Sequence, residues 1–482
     1  MLVNVLDLIP EDHILRQVDK ILNLSWLRKE VQHLYCEDNG RPSIDPEAAL
    51  RLMLAGFLLG ILYDRKLMRE AQVNIAIRWF AGYGLSEDLP DHSSLTKIRQ
   101  RWGPEVFRKI FKKTVQMCVD AGLVGGETVH IDSTMIRADA SWDSLVDVYV
   151  DEVCAENDED NPPYGGAGMS SSRKVKREKE KRSAADPDAT LARSGKGDLF
   201  ELGFKQHTAV DDANGVMTDV SVTTGRTNEG PQLIGQVERV EENTGIKPSR
   251  VTADAGYANS ENYRILEERG IDSVIPVQPE RNQGRVIPIR KFKYDAKNDI
   301  VKCPMGKKLR RSHQNWQGWF YAASAADCGK CKLRHKCVAP TGTVRKVLIV
   351  YGYVALLRAR RRWKDPDEET RMYYRRHRWQ VEGKHAEGKQ WHGLRRAVRR
   401  GLGEVSIQVF LTAAVMNLKR LAASFTLIFL ALAGRYWHPK PHIEPPSTDF
   451  IKYLALVSAD KGPKIPTTLM AFSTAPWCPR SK

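Results

Sequence analysis

The chain has 482 residues, 42% of them hydrophobic, and a formal net charge of +16 with a pI near 9.4. That length holds two to four domains with a sizeable core, and the hydrophobic share is that of an ordinary globular protein, which excludes a disordered or fibrous chain. The basic excess is clustered, which favours a polyanionic partner, nucleic acid first. The opening MLVNVLDLIPEDH has acids and no basic segment before an apolar one, so no secretory signal is expected. The best membrane candidate, 421–433, is shorter than the roughly 20 residues a span needs and reads as a buried helix end. These features predict a cytoplasmic protein with no membrane partner.

Residues 1–123 show apolar positions at three- and four-residue spacings and predict an all-α N-terminal domain. Ser43-Ile44-Asp45-Pro46 reads as a helix start, and Asp91 or Ser93 can cap a later helix carrying Lys97, Arg99 and Arg101. A helix pair with basic residues on its second member suits helix-turn-helix docking on DNA, with Lys97 and Arg99 as contacts; a plain bundle with a charged face is the alternative.

Residues 124–435 predict an α/β domain. A Gly-Gly break at 125–126 leads into a strand that ends on Asp132. Residues 142–198, acidic and then Gly/Ser-rich and then strongly charged, read as a disordered insert. Alternation returns around Asn214-Gly215, a hairpin tip, and TNEGPQLIGQVERVEENTG reads as a helix. SRVTAD is a strand delivering Asp254 to its end, followed by a helix and another strand. The order strand–Asp, hairpin, helix, strand–Asp, helix, strand predicts a mixed sheet with helices packed on it.

Residues 284–345 form a second insert, with Cys303 followed by Cys328, Cys331 and Cys337. Four thiols at this spacing can hold one structural Zn²⁺; a reduced, unmetallated insert is the alternative. Cys36, Cys118, Cys154 and Cys478 are scattered and read as free thiols. Residues 346–364 are a last apolar run with a basic cluster, and 404–433 an apolar helix that buries against the sheet. The Pro-rich tail 436–482 is expected to be poorly ordered.

Between these lies RMYYRRHRWQVEGKHAEGKQWHGLRRAVRRGL, residues 371–402. As a helix it puts Arg378, Glu382 and Lys389 on one face, since spacings of four and seven return to nearly the same azimuth. Glu387 is a rival carboxylate about 140° round. Asp132, Asp254 and Glu382 together suit divalent-metal phosphodiester chemistry: Mg²⁺ takes hard oxygen ligands, and neighbouring cations hold phosphates. His130 alternates with Asp132 on the strand, lining the site or satisfied in the core. Trp379 and Trp391 read either as base-stacking residues or as core packing beneath the helix.

HIDSTMIRADAS, VTADAGYAN and RHRWQVEGKHAEGK resemble the three catalytic blocks of bacterial insertion-sequence transposases of the DDE type. RPSIDPEAALRLMLAGFLLGI and LPDHSSLTKIRQRW resemble their N-terminal domain, and GFKQHTAVDDANG their strand pair. The resemblance covers roughly residues 10–420. It implies an RNase H-like core, a triad of Asp132, Asp254 and Glu382 holding Mg²⁺ or Mn²⁺, and Arg378 and Lys389 on the DNA backbone. It also implies cleavage at double-stranded element ends, joining of 3′ ends to target DNA, and work as a homodimer or higher oligomer. The tyrosine of the family's last block is not in its expected slot, which is Arg375; Tyr374 stands one place early. A nuclease without strand transfer, or a degenerate DNA-binding protein, are the alternatives.

Overall fold

The computed structural model describes residues 4–36, 43–149, 179–193, 199–279, 287–339 and 342–432. Cys154, Cys478 and the tail 436–482 lie outside them.

The N-terminal helices are α1 (Ile14–Asp19), α2 (Leu27–Val31), α3 (Pro46–Leu58), α4 (Asp64–Val73), α5 (Ile75–Ala81) and α6 (His92–Asp120). Asp45 caps α3, with Pro46 at its first position, as the Ser-Ile-Asp-Pro signal predicts. Of the two candidate caps for α6, Asp91 is used: its carboxylate accepts the Ser93 N–H at 2.8 Å. The α6 helix bends where Gly103, at φ 66°, precedes Pro104.

Next come β1 (Thr128–Arg137), β2 (Leu145–Tyr149), β3 (Lys179–Ser183), β4 (Thr190–Ala192), β5 (Glu201–Asp211), β6 (Met217–Thr224), α7 (Gln232–Thr244), β7 (Arg250–Ala253), α8 (Ser260–Glu268) and β8 (Asp272–Val274). The central sheet runs β5–β1–β7–β8, with β6 and β4 sharing the outer edge of β5. The pairs β6–β5 and β5–β1 are antiparallel; β1–β7 and β7–β8 are parallel. Gly215 at φ 64° lies in the β5–β6 turn, as the Asn-Gly pair predicts. Asp132 does not end its strand. It pairs with Thr208 near the middle of β1, because the polar run after it continues the ladder to Arg137. The expectation of a disordered insert over 142–198 fails where the residues are described: its flanks form the β2–β3 ladder and β4 joins the central sheet, while 150–178 and 194–198 lie outside the described residues.

The Cys-containing insert is a five-stranded antiparallel meander of β9 (Lys293–Asp295), β10 (Ile300–Lys302), β11 (Lys308–Asn315), β12 (Gly318–Ala322) and β13 (Lys346–Val350), with α9 (Ala325–Gly329) and α10 (Arg334–Cys337) before its last strand. The apolar run at 346 therefore closes this insert rather than the central sheet. Three helices follow: α11 (Tyr353–Lys364), α12 (Glu368–Trp391) and α13 (Leu402–Leu432).

One sheet face is covered by α7 and α8, where Leu233, Val237, Tyr263 and Leu266 close over Val129, Ile131, Val251 and Ala253. On the other side α13 packs between β6 and α6, so the N-terminal helices and the sheet share one apolar core. Apolar on nearly every side, α13 has the character of a core helix. Its stretch Leu402–Phe425 is long and apolar enough to cross a membrane by composition, and 83% of an apolar 18-residue segment within it is buried in the fold. Asn417 is fully buried there and meets β6 twice, accepting the Met217 N–H and donating to the Met217 carbonyl, each at 2.9 Å.

Candidate active site

Parallel pairing of β1 with β7 sets Ile131 beside Ala253, so Asp132 and Asp254 emerge from neighbouring strands. Asp254 caps a short turn at 255–257 and accepts the Gly256 N–H at 2.8 Å. Asp132 accepts the Ser133 N–H at 2.7 Å. Burial, joined by the charges of Asp254, Glu229 and Glu382, pushes the Asp132 carboxyl up to about 7. Burial and then Glu229 raise Asp254 as well. Carboxylates that hold one another's protons on are a place where positive charge is wanted.

Helix α12 brings Glu382 near enough for its charge to act on Asp132, and a polar network fixes the helix to the sheet. His377 Nδ1 meets Thr252 Oγ1 at 2.9 Å, and Thr252 meets His130 Nδ1 at 2.6 Å. His130 Nε2 reaches Asp212 at 2.9 Å, and Asp212 also pairs with Arg376 at 2.9 Å. His385 bonds Thr208 at 3.2 Å and lies 3.9 Å from Asp132. Burial drives both His377 and His385 down to about 3, so near neutral pH they are uncharged hydrogen-bonding groups. His130 is thus a satisfied core residue, fully buried.

Glu382 is exposed and its partner is Arg378 at 3.3 Å. Lys389 is half-buried; burial and the nearby Arg395 and Arg137 lower its pKa, and Asp132 acts in the opposite sense. Glu387 points elsewhere, to Lys419 at 3.0 Å and Arg420 at 3.1 Å. Trp379 and Trp391 are 75% and 62% exposed, so core packing is not their role. Tyr374 stacks on His377 and meets Trp363 edge-on.

Two expected contacts part company in α6. Lys97 is exposed. Arg99 is 2% exposed and bonded to Asp64, which also holds Arg399 at 2.8 Å, so it is a core ion pair and not a DNA contact. In the insert, Cys303 Sγ accepts the Lys307 N–H at 3.3 Å, and burial followed by Arg345 and the other three thiols sets the pKa of Cys337, which is raised. Among the described residues, no group of three or more His, Cys, Asp or Glu closes tightly enough to enclose an ion as it stands. Sequence reasoning missed Glu229, Lys205, Ser133 and Tyr257; the Glu-Gly-Pro before α7 marked only a helix start.

Antiparallel β6–β5–β1 followed by parallel β7 and β8, with helices on both faces and aspartates on adjacent central strands, is an RNase H-like arrangement. Residues 128–418 match the family described as the transposase DDE domain, and residues 3–101 a transposase domain (DUF772). The chain belongs to the DDE transposase family and is a DNA transposase, with DNA as its partner. It is also similar to a piggyBac transposase from a cryo-EM synaptic complex with hairpin DNA, at 12% identity over 95% of this chain and 86% of that one. The TM-score of 0.31 is too low for that likeness to carry an argument.

Proposed function

We propose that this transposase binds the ends of its element, cleaves phosphodiester bonds there with a divalent metal, and joins the 3′ ends to target DNA. Asp132, Asp254 and Glu382 would hold Mg²⁺ or Mn²⁺. The observation that supports this is that Asp132 and Asp254 leave adjacent parallel strands, and that the Asp132 carboxyl, raised first by burial, is raised further by the charges of Asp254, Glu229 and Glu382 arriving from other elements. When bound, the metal activates the attacking oxygen and stabilises the leaving one. The chain's own residues orient and neutralise. His385 and the His377–Thr252–His130 network fix α12 over the strands. Arg378 and Lys389 offer cations on either side of Glu382 for the phosphate backbone, and exposed Lys97 offers another on α6. Exposed Trp379, one turn before Glu382, offers a stacking surface to a base near the cut. The active species is a homodimer or higher oligomer on DNA. Cys303, Cys328, Cys331 and Cys337 would hold a structural Zn²⁺ that ties the ends of the β9–β13 meander.

Asp132→Asn, Asp254→Asn and Glu382→Gln are each expected to abolish metal-dependent cleavage of element-end DNA while gel-shift affinity for those ends persists. Normal cleavage by Glu382→Gln would overturn the triad. Supplying pre-cleaved ends distinguishes a transposase, which joins them to a target, from a nuclease, which does not.

A further inference from the structure

Glu229 sits in the turn between β6 and α7, two residues before Pro231 opens the helix. Both contacts of its Oε1 are made: Ser133 Oγ donates at 2.6 Å, and Lys205 Nζ lies at 3.0 Å. Lys205 is held in turn by the Thr227 carbonyl at 3.0 Å. Glu229 is thereby fixed to the residue that follows Asp132. Its Oε2 faces Asp254. A methyl group on Gly256 would stand 2.5 Å from Glu229 Oε2 and 2.9 Å from Asp254 Oδ1, so the two oxygens flank a single point.

A second feature marks the same place. Tyr257 is fully buried, and its hydroxyl lies beside the Ser133 side chain without completing a hydrogen bond of ordinary geometry. Asp132, Glu229 and Asp254 all act on that phenol, so it lies among the three carboxylates. A buried hydroxyl so poorly satisfied, beside three acids, suits a ligand that brings charge and a hydration shell. Lys205 contacts one oxygen of one of these acids and its charge reaches Asp254 as well, but one cation against three carboxyl groups leaves the cluster short of positive charge.

We propose that Glu229 is a fourth carboxylate of the metal centre, presenting Oε2 to the divalent ion that Asp132 and Asp254 would hold. This rests on the metal-centre reading above. Ser133 holds Oε1 in place, so that the free oxygen is aimed rather than mobile, in the way outer partners orient metal ligands elsewhere, while Lys205 adds a positive charge that opposes the ion.

The test is a Mn²⁺ titration of the full chain without DNA, following free Mn²⁺ by electron paramagnetic resonance, for wild type, E229Q, K205M, G256A and D254N. E229Q is expected to weaken Mn²⁺ binding about tenfold or more. K205M, which removes only the cation on Oε1, should bind Mn²⁺ at least as well as wild type. If E229Q matches wild type while D254N loses the ion, the fourth carboxylate is refuted and the triad stands. If D254N binds like wild type, the metal-centre reading itself falls. Equal weakening by K205M and E229Q would mean a purely structural ion pair and would also refute the proposal. Unfolding midpoints in EDTA show whether E229Q folds. Should it not, G256A serves: its methyl intrudes between the two oxygens, and unchanged Mn²⁺ affinity would overturn the idea.

Discussion

The two glutamates on α12 differ in what surrounds them. Glu382 stands in solvent with the Arg378 guanidinium beside it, and its charge reaches Asp132. Glu387 is half-buried and bonded by Lys419, Arg420 and His392, the first two on α13. A carboxylate with that many donors is lowered in pKa despite its burial and has no oxygen to spare for an ion. Glu387→Gln is therefore expected to leave cleavage intact while costing about 1–3 kcal/mol of stability, the worth of charge-assisted hydrogen bonds. Urea unfolding beside a cleavage assay checks both halves. Lost cleavage with unchanged stability would reverse the roles of the two residues.

At the scale of elements, α13 is tied to the sheet by a polar side chain inside an apolar surface. Asn417 supplies both the acceptor and the donor that Met217 needs where β6 begins and the β5–β6 register shifts. Asn417→Leu leaves a backbone N–H and a backbone carbonyl buried without partners, at about 1–3 kcal/mol for each such group. The expected outcome is a drop in denaturant midpoint larger than Glu387→Gln produces. The Cys-containing meander offers a separate test. If Zn²⁺ ties it, chelation should shift the fluorescence of the partly buried Trp319, open protease sites within 287–350 and leave hydrogen exchange in β1, β5 and β7 protected. No response to chelator would favour the unmetallated insert. The same scale explains what was legible in the sequence. Periodicity and turn chemistry marked α3, α6, the β5–β6 hairpin and β7, because those signals are local. Asp254 was readable as a strand-end acid for the same reason. The run through Ser133 and Thr134 hid that β1 continues past Asp132, since its polar residues meet partners on β5 and in the turn before α7. Glu229 was illegible: its partner Ser133 is 96 residues away.

Over the whole molecule, a charge of +16 says that DNA is held largely by phosphate contacts, but not which cations make them. Arg99 shows the difficulty. In sequence it stands beside Lys97 on one helix, and only Asp64, 35 residues earlier, decides that its guanidinium goes inward. Burial and the neighbouring Arg399 press its pKa down to about 10, still well above neutrality, so it remains a buried charge that depends on Asp64. The two residues should therefore separate in one pair of experiments. Element-end affinity measured across a salt series should fall along a straight line in log–log form. Lys97→Ala should reduce the slope by roughly 1, the signature of a lost phosphate contact, with no change in unfolding. Arg99→Met should leave the slope as it was and act on stability, because it takes from Asp64 its buried guanidinium partner and leaves it with Thr96 and Arg399. If Arg99→Met instead flattens the slope and unfolds like wild type, the inward orientation of Arg99 is wrong and the helix presents both cations to DNA.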